Sequence, residues 1–297
     1  MPLRLPQRRS ASESVTAPSV ATCPTPSLTS DLARSWLLVS ARDVERFTPA
    51  AEGDADEVIL DIEDAVDPSF KDAARRDVVA WLSANSAWVR INCRESPHWD
   101  DDVAELRGSP GLRGVVLAKV ESAAAATETF VALGRTVPVV ALIESALGIE
   151  EAVAIARAEG VMRLAFGSGD YRRDTGASAD DLAMAYPRSR LVVASRIGGL
   201  PGPIDGPTVT PGLSLLREQS AVGVSHGMTG KLCLFPEQAS VVNESFSPSR
   251  SDVAWARGFL ADFDERGGVV RDGSDLPRLG RARRIEELAL AFNLSVD

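Results

Sequence analysis

The chain has 297 residues, enough for one large α/β barrel or two small domains, with the 44% apolar and 25% charged residues of an ordinary globular protein. Its formal net charge of −10 argues against a nucleic-acid surface and against an anionic membrane, so we expect neither partner. It has no apolar run long enough for a transmembrane helix, and its three cysteines lack metal-binding spacing, which indicates reduced thiols in a cytoplasmic protein.

Residues 1–30 differ in composition from everything that follows. They are rich in Ser, Thr, Pro and Ala and show no apolar period. Such a segment cannot bury enough apolar surface to offset the entropy of ordering, so we predict a disordered tail. We expect the folded part to comprise a domain over residues 31–245 and an extension over 246–297.

Short apolar runs separated by helical segments occupy residues 31–245. Eight parallel strands with intervening helices form a closed (β/α)₈ TIM barrel of the α/β class, which is the fold we predict. The alternative, an open doubly wound sheet, is disfavoured because neither GxGxxG after the first strand nor GxxxxGK[ST] occurs. The eight runs are 36–40, 58–62, 88–92, 114–119, 137–143, 163–167, 203–206 and 231–235.

The extension contains two further helical patterns. Residues 248–266 predict one helix, which Gly267 and Gly268 would end, and residues 279–292 predict the last. Residues 269–273 between them are typical of a short extended piece. We expect this C-terminal helical extension to pack on the barrel or on a neighbouring subunit.

Runs five and six each lead to an acid, Glu144 and Asp170. Between them Ser145 is placed to cap a helix over 146–159. The carboxyl ends of parallel strands meet at the ligand-binding edge of a barrel, and two hard oxygen ligands suit Mg²⁺, or Mn²⁺ as an alternative, better than zinc. Asp170 could instead simply begin the next helix.

Charged side chains also dominate the other strand ends. So many carboxylates would repel one another unless cations lie among them. Arg90 and Lys119 supply two charges and a divalent ion would supply more, a set suited to a chelated keto acid clamped by a guanidinium. Alternatively, Arg90 and Lys119 form structural ion pairs with Asp61 or Glu63. The strand-end residues are Ser40, Asp61, Glu63, Asp64, Arg90, Asn92, Lys119, Glu144, Asp170, Asp205 and Phe235.

Several motifs together resemble the HpcH/HpaI aldolase and citrate lyase family, within it the citrate lyase β-subunit-like (CoA ester lyase) branch. The resemblance extends from about Arg34 to Arg283. The motifs include Leu60-Asp61-Ile62-Glu63-Asp64-Ala65-Val66, Val89-Arg90-Ile91-Asn92, Leu142-Ile143-Glu144-Ser145-Ala146-Leu147-Gly148 and Ala165-Phe166-Gly167-Ser168-Gly169-Asp170.

The resemblance implies a TIM barrel, often trimeric, that cleaves or forms a carbon–carbon bond in an acyl-CoA such as citryl-CoA or malyl-CoA through an enolate stabilised by Mg²⁺. It places the metal on Glu144 and Asp170 and the substrate carboxylate on Arg90, which is also catalytic. It further implies an acid/base, Asp275, acting in an adjacent subunit's site, with Asp272 as the fallback. The remaining implied site residues are Asp61, Glu63, Asp64, Lys119 and Glu144 for substrate binding and Arg34 for cofactor binding.

The chain departs from the family pattern at the mouth of the expected pocket. Ser40-Ala41 replaces Pro-Gly, Gly169 replaces a Glu, Phe235 replaces a His, and Ala118 replaces a Pro. These changes concern the acyl-CoA specificity more than the metal chemistry. Three other functions stay open: a metal-dependent thioester hydrolase, a 2-keto-acid aldolase without CoA, and a non-catalytic ligand-binding barrel.

Overall fold

The computed structural model describes residues 28–294, in which eight parallel strands form a closed barrel. Each strand pairs with the next along the chain, and β1 pairs with β8 to close the ring. This confirms the predicted (β/α)₈ barrel; nearly all of the predicted tail lies outside the described residues. The strands are β1 (Ser35–Ser40), β2 (Glu57–Asp61), β3 (Ala87–Ile91), β4 (Leu112–Leu117), β5 (Val139–Ile143), β6 (Val161–Phe166), β7 (Ile204–Asp205) and β8 (Gly230–Cys233).

Helices connect successive strands and extend beyond the last one. Two short 3₁₀ helices, Val44–Arg46 and Pro68–Phe70, lead into the first two α-helices. No helix within residues 28–294 is long and apolar enough to cross a membrane. The α-helices are α1 (Phe47–Ala51), α2 (Lys71–Leu82), α3 (Trp99–Leu106), α4 (Ala123–Ala132), α5 (Ala146–Ala156), α6 (Ser168–Thr175), α7 (Asp181–Gly198), α8 (Leu213–His226), α9 (Gln238–Ser245), α10 (Arg250–Glu265) and α11 (Asp275–Ala291).

The barrel interior is filled by side chains rather than hollow. Trp36 of β1 and Trp88 of β3 are fully buried there and meet edge to face, with ring centroids 5.2 Å apart. Apolar residues of the other strands, such as Val140 and Ile204, complete this inner cluster, while a larger apolar layer lies between strands and helices. Because the interior is packed, a ligand has room only at the ends of the barrel.

A buried guanidinium closes the N-terminal end of the barrel. Arg163 of β6 donates hydrogen bonds to the carbonyl oxygens of Ala33 at 2.7 Å and Gly202 at 2.8 Å and to the hydroxyl of Thr229 at 2.8 Å. Burial lowers the pKa of Arg163 to about 9. Neutral oxygens thus hold this cation in place of a carboxylate.

The C-terminal extension is a pair of packed helices. α10 begins with a capping box between Ser249 and Asp252, and its apolar side packs on that of α11. α11 begins at Asp275, four residues before the prediction. The helix can include Pro277 because this residue lies in the first turn, where backbone amides have no partner within the helix. The predicted extended piece over 269–273 was wrong: this stretch is a loop.

The extension contacts its own barrel through the last residues of the helix pair. The guanidinium of Arg34, which precedes β1, stacks on the Phe292 ring at 4.0 Å. The same guanidinium is held by Asp56 at 2.8 Å and by the Ser247 hydroxyl at 2.7 Å. Arg34 therefore joins the start of the barrel to the end of the chain.

Close packing of β3 on β4 predicts the outcome of one glycine substitution. A Cβ at Gly114 would overlap the ring of Trp88. We expect Gly114→Ala to lower the free energy of unfolding by about 1–3 kcal/mol, because the packed interior cannot yield. Urea denaturation followed by circular dichroism measures the change.

Gly258→Ala is the matched control. Gly258 lies within α10, and a Cβ there would meet no atom within 4 Å, so alanine should raise stability by about 0.5–1 kcal/mol. Equal effects of the two substitutions would contradict the packing argument.

Candidate active site

A cavity of about 370 Å³ lies at the C-terminal mouth of the barrel. Its walls come from residues at or just beyond the ends of the strands, together with apolar side chains such as Leu142 and Leu232. Five predicted site residues border it: Asp61, Asp64, Arg90, Glu144 and Asp170. Most of the predicted site residues therefore meet at one cavity, as expected for residues that follow parallel strands of a barrel.

Glu144, the first residue after β5, is a buried carboxylate in the wall of this cavity. It is 7% exposed, and its Oε1 accepts a hydrogen bond from the backbone amide of Lys119 at 2.8 Å. Burial raises the pKa of Glu144 to about 7, although the amide hydrogen bond and the charge of Arg90 oppose the shift. Because these two interactions only partly replace the lost hydration of Glu144, a cation bound beside its carboxylate would stabilise the ionised form.

Gly167 makes this placement of Glu144 possible. Its backbone amide donates to the carbonyl of Ile143 at 2.8 Å, and a Cβ at this position would overlap the Glu144 carboxylate. In the sequence, Gly167 is notable only as part of a motif. The signal that could have identified it is a glycine immediately after a barrel strand, where backbone and ligand approach closely.

Asp170 lies in the first turn of α6, which begins at Ser168 with Gly167 as its N-cap, so Asp170 is near the start of a helix but does not cap it. Its side chain, 24% exposed, nevertheless borders the cavity. A smaller cavity of about 230 Å³ is also lined by both Asp170 and Glu144. In addition, Arg173 on the next turn approaches Asp170 at 3.3 Å.

A chain of alternating charges organises the loops after β2, β3 and β4. Asp61 holds Arg90 through two hydrogen bonds, Nε to Oδ1 at 2.8 Å and Nη2 to Oδ2 at 2.5 Å. Glu63 lies between Arg90, at 3.4 Å, and Lys119, which also reaches Asp64 at 3.0 Å. The ion pairs that formed the alternative interpretation therefore exist, and they hold Arg90 at the cavity wall.

The pKa values in this chain of charges follow from burial and pairing. Burial raises the pKa of Glu63, which the charges of Arg90 and Lys119 only partly offset. Burial also opposes the charge on Arg90, but Asp61 and Glu63 outweigh it and raise the pKa of the guanidinium. Arg90 is therefore a permanent cation facing the cavity.

Lys119 has a strained backbone at the point where it serves Glu144. Its φ of 50° lies in the left-handed region, which is uncommon for a residue with a side chain. This conformation accompanies the amide hydrogen bond to Glu144 and the ion pair of the side chain with Glu63. Strain of this kind tends to occur at functional sites.

Two basic residues of this region were missed by sequence reasoning. Arg46 borders the cavity from the segment after β1. Its position in the sequence could have identified it, because all segments that follow barrel strands lie at this end of the barrel. Lys71, at the start of α2, is buried and donates to the carbonyls of Ile62 and Glu63 and to Asn92, at 2.8–2.9 Å. Nothing in the sequence distinguishes Lys71 from a surface lysine.

The donor set fits Mg²⁺ by its chemistry. Glu144 and Asp170 supply hard oxygens, and within residues 28–294 no cluster of three or more His, Cys, Asp or Glu residues is arranged around a common metal position. Mg²⁺ keeps several waters and is commonly bound through one or two carboxylates plus the substrate, whereas a structural zinc site needs four protein ligands. Glu144 is buried, and a bound cation would offset the free-energy cost of burying its negative charge.

Two predicted site residues lie away from the cavity. Arg34 is at the opposite end of the barrel, so its predicted cofactor role does not fit its position. Asp275 is buried at the start of α11, where it accepts hydrogen bonds from the Arg271 amide at 2.8 Å and from the Arg266 guanidinium at 3.0 Å. These two groups lower the pKa of Asp275.

Comparisons with known proteins agree with this architecture. A model of the HpcH/HpaI aldolase/citrate lyase family matches residues 34–236, and a model of the HpcH/HpaI aldolase C-terminal domain matches residues 251–293. The chain is 30% identical to the citrate lyase subunit beta-like protein of Deinococcus radiodurans, over 86% of this chain and 96% of that protein. It is also 30% identical to the human mitochondrial citramalyl-CoA lyase, over 87% and 86% of the two chains.

Solved structures give the same result. The crystal structure of the protein CitE from Mycobacterium tuberculosis, in complex with magnesium, acetoacetate and coenzyme A, superposes with a TM-score of 0.74. The sequence identity is 29%, and the match covers 87% of this chain and 99% of CitE.

The raised pKa of Glu144 predicts a pH dependence of stability. The folded value, about 7, lies above the ordinary 4.5, so between these pH values the unfolded chain releases a proton that the folded chain retains. Stability should therefore fall as the pH rises through this window, by an amount on the order of 3 kcal/mol, and Glu144→Gln should remove this contribution. Urea denaturation of both proteins from pH 5 to pH 8, with EDTA present, measures it. A difference between them that does not change with pH would contradict the prediction.

Proposed function

The chain belongs to the HpcH/HpaI aldolase/citrate lyase family, and on that premise we propose that it is a Mg²⁺-dependent carbon–carbon lyase. Its substrate would be a short CoA thioester of a hydroxy acid, such as citryl-CoA or malyl-CoA. The observation that carries the proposal is the placement of Glu144, Asp170 and Arg90 around one cavity at the mouth of the barrel.

Arg90 would bind and orient the carboxylate of the substrate. A guanidinium has five N–H donors, of which Asp61 takes two, so N–H groups remain for a second carboxylate. Because Asp61 and Glu63 fix the guanidinium, little side-chain freedom is lost when the substrate binds. The guanidinium also keeps its charge at any pH at which the protein is folded.

Glu144 and Asp170 would hold Mg²⁺, or Mn²⁺ in its place. When bound, the ion would supply positive charge beside the oxygen atoms of the substrate that gain negative charge during cleavage. The backbone amide of Lys119 keeps one oxygen of Glu144 in place, and Gly167 keeps the space beside it free.

Cleavage requires two proton movements. The hydroxyl group loses its proton to water and becomes a carbonyl group, a ketone from citryl-CoA or an aldehyde from malyl-CoA. At the same time the carbon–carbon bond breaks, and its electron pair passes to the carbon next to the thioester. That carbon then takes up a proton, giving acetyl-CoA and a keto acid. Asp275 of a neighbouring subunit is the proposed proton carrier at this carbon.

The nature of the products tests the reaction class. Purified protein with Mg²⁺ should convert citryl-CoA or malyl-CoA to acetyl-CoA and a keto acid, as followed by chromatography. Release of free CoA would indicate a hydrolase and would contradict the proposal.

Glu144→Gln and Asp170→Asn should each lower kcat/KM by at least about a hundredfold without unfolding the protein, since each removes an ion ligand. The control is Glu151→Gln, an exposed glutamate of α5.

A mixing experiment tests the role of Asp275. If Asp275 acts in a neighbouring subunit, Asp275→Asn and Glu144→Gln are each inactive alone but complement one another in a mixed oligomer. Co-expression of the two variants with different tags, followed by tandem purification, should restore a fraction of wild-type activity. Inactivity of the mixed oligomer would contradict the proposed exchange between subunits.

A further inference from the structure

A second cavity, of about 280 Å³, lies beside the active-site cavity. It is enclosed by the beginning of α6, the segment after β7, and helices α7 and α8. Gly169 and Pro207 belong to the walls of both cavities. Gly169 directly precedes Asp170, so the second cavity begins one residue away from a proposed metal ligand.

Gly169 leaves the boundary between the two cavities open. A Cβ built at this position would meet no atom within 4 Å, so there is free space where a larger residue would place its side chain. A group attached to the substrate could therefore extend past Gly169. A glutamate at this position would oppose such an extension by an anionic group through its length and its charge.

The walls of the second cavity are positively charged. They include Arg172, Arg188 and Lys231 and contain neither aspartate nor glutamate, in a chain with a net charge of −10. Asp205, behind this wall, pairs with Arg188 at 2.9 Å and with Lys231 at 3.3 Å. One carboxylate against three cations leaves a positive surplus, which favours an anionic ligand.

Arg172 is the cation free to bind such a ligand. It lies exposed near the end of α6, and among the described residues no carboxylate lies within ion-pair distance of it, whereas its neighbour Arg173 reaches Asp170. Arg188 adds a second indication, because its Nη1 is buried without a hydrogen-bond acceptor in the described part of the chain. Unpaired donors of this kind are costly unless a ligand or water satisfies them.

We propose that this second cavity binds an additional carboxylate on the acyl group of the substrate, with Arg172 as its partner. The inference rests on the proposed lyase function and narrows its substrate class. The acyl group would carry one carboxylate at the ion and Arg90 and another, on a short methylene arm, in the second cavity. Citryl-CoA has such an arm, whereas citramalyl-CoA has a methyl group in its place.

The two thioesters allow a sharp test. With wild-type protein and Mg²⁺, kcat/KM for citryl-CoA should exceed that for citramalyl-CoA. Arg172→Gln should lower the value for citryl-CoA roughly ten- to hundredfold, the size expected for one charged hydrogen bond, and should change the value for citramalyl-CoA little. Gly169→Leu should likewise penalise citryl-CoA more than citramalyl-CoA, by filling the boundary. Arg217→Gln is the control, since Arg217 pairs with Glu244 on the surface.

Other outcomes would overturn the inference. An equal loss on both substrates would assign the positive charge to the phosphates of CoA, and unchanged ratios would remove the role of Arg172. If wild-type protein cleaves neither of these thioesters nor malyl-CoA, the proposed function fails. In that case, calorimetric titration with oxaloacetate and pyruvate, which differ by one carboxylate, tests the second cavity separately. Tighter binding of oxaloacetate that Arg172→Gln abolishes would support the inference. Equal binding, or a preference that survives Arg172→Gln, would contradict it.

Discussion

The desolvation of one carboxylate, that of Glu144, governs the arrangement of the barrel mouth. An ionised group out of water is unstable unless nearby dipoles or charges replace the lost hydration. Here the backbone of Lys119 adopts a left-handed conformation and gives its amide to Glu144, and Gly167 lacks the side chain that would displace it. Three consecutive strand ends are thus shaped around a single charge, and that charge is what makes the site suitable for a hard cation.

The charges beside Glu144 have a different function. Asp61, Arg90, Glu63 and Lys119 alternate in sign and nearly neutralise one another, so they fix geometry rather than create a strong field. The second cavity has the opposite character, because its cations outnumber the single carboxylate behind them. A ligand at the mouth of the barrel would therefore contact the nearly neutral chain of charges on one side and the positively charged second cavity on the other.

The sequence predicts the barrel well, because buried strands are continuous apolar runs and Ser145 is a helix cap with the expected hydrogen bond to Gly148. It also predicts the site residues that directly follow strands, since topology alone brings them together. It fails where position depends on packing between distant segments. The partners of Arg34, which are Asp56, Ser247 and Phe292, come from such distant segments. The start of α11 at Asp275 depends on a first turn that accepts Pro277. Lys71 and Gly167 owe their roles to neighbours that the sequence does not reveal.

The buried guanidinium of Arg163 limits the order in which the fold can be completed. Its acceptors are oxygens at residues 33, 202 and 229, which come together only when β8 pairs with β1. Without that pairing this oxygen cage lacks the Ala33 oxygen, which accepts a hydrogen bond from Arg163 at 2.7 Å. Closing so long a segment of chain is entropically unfavourable and slow. Only closure of the ring therefore completes this cage, and a barrel without the β1–β8 pairing lacks the contribution of the Ala33 oxygen.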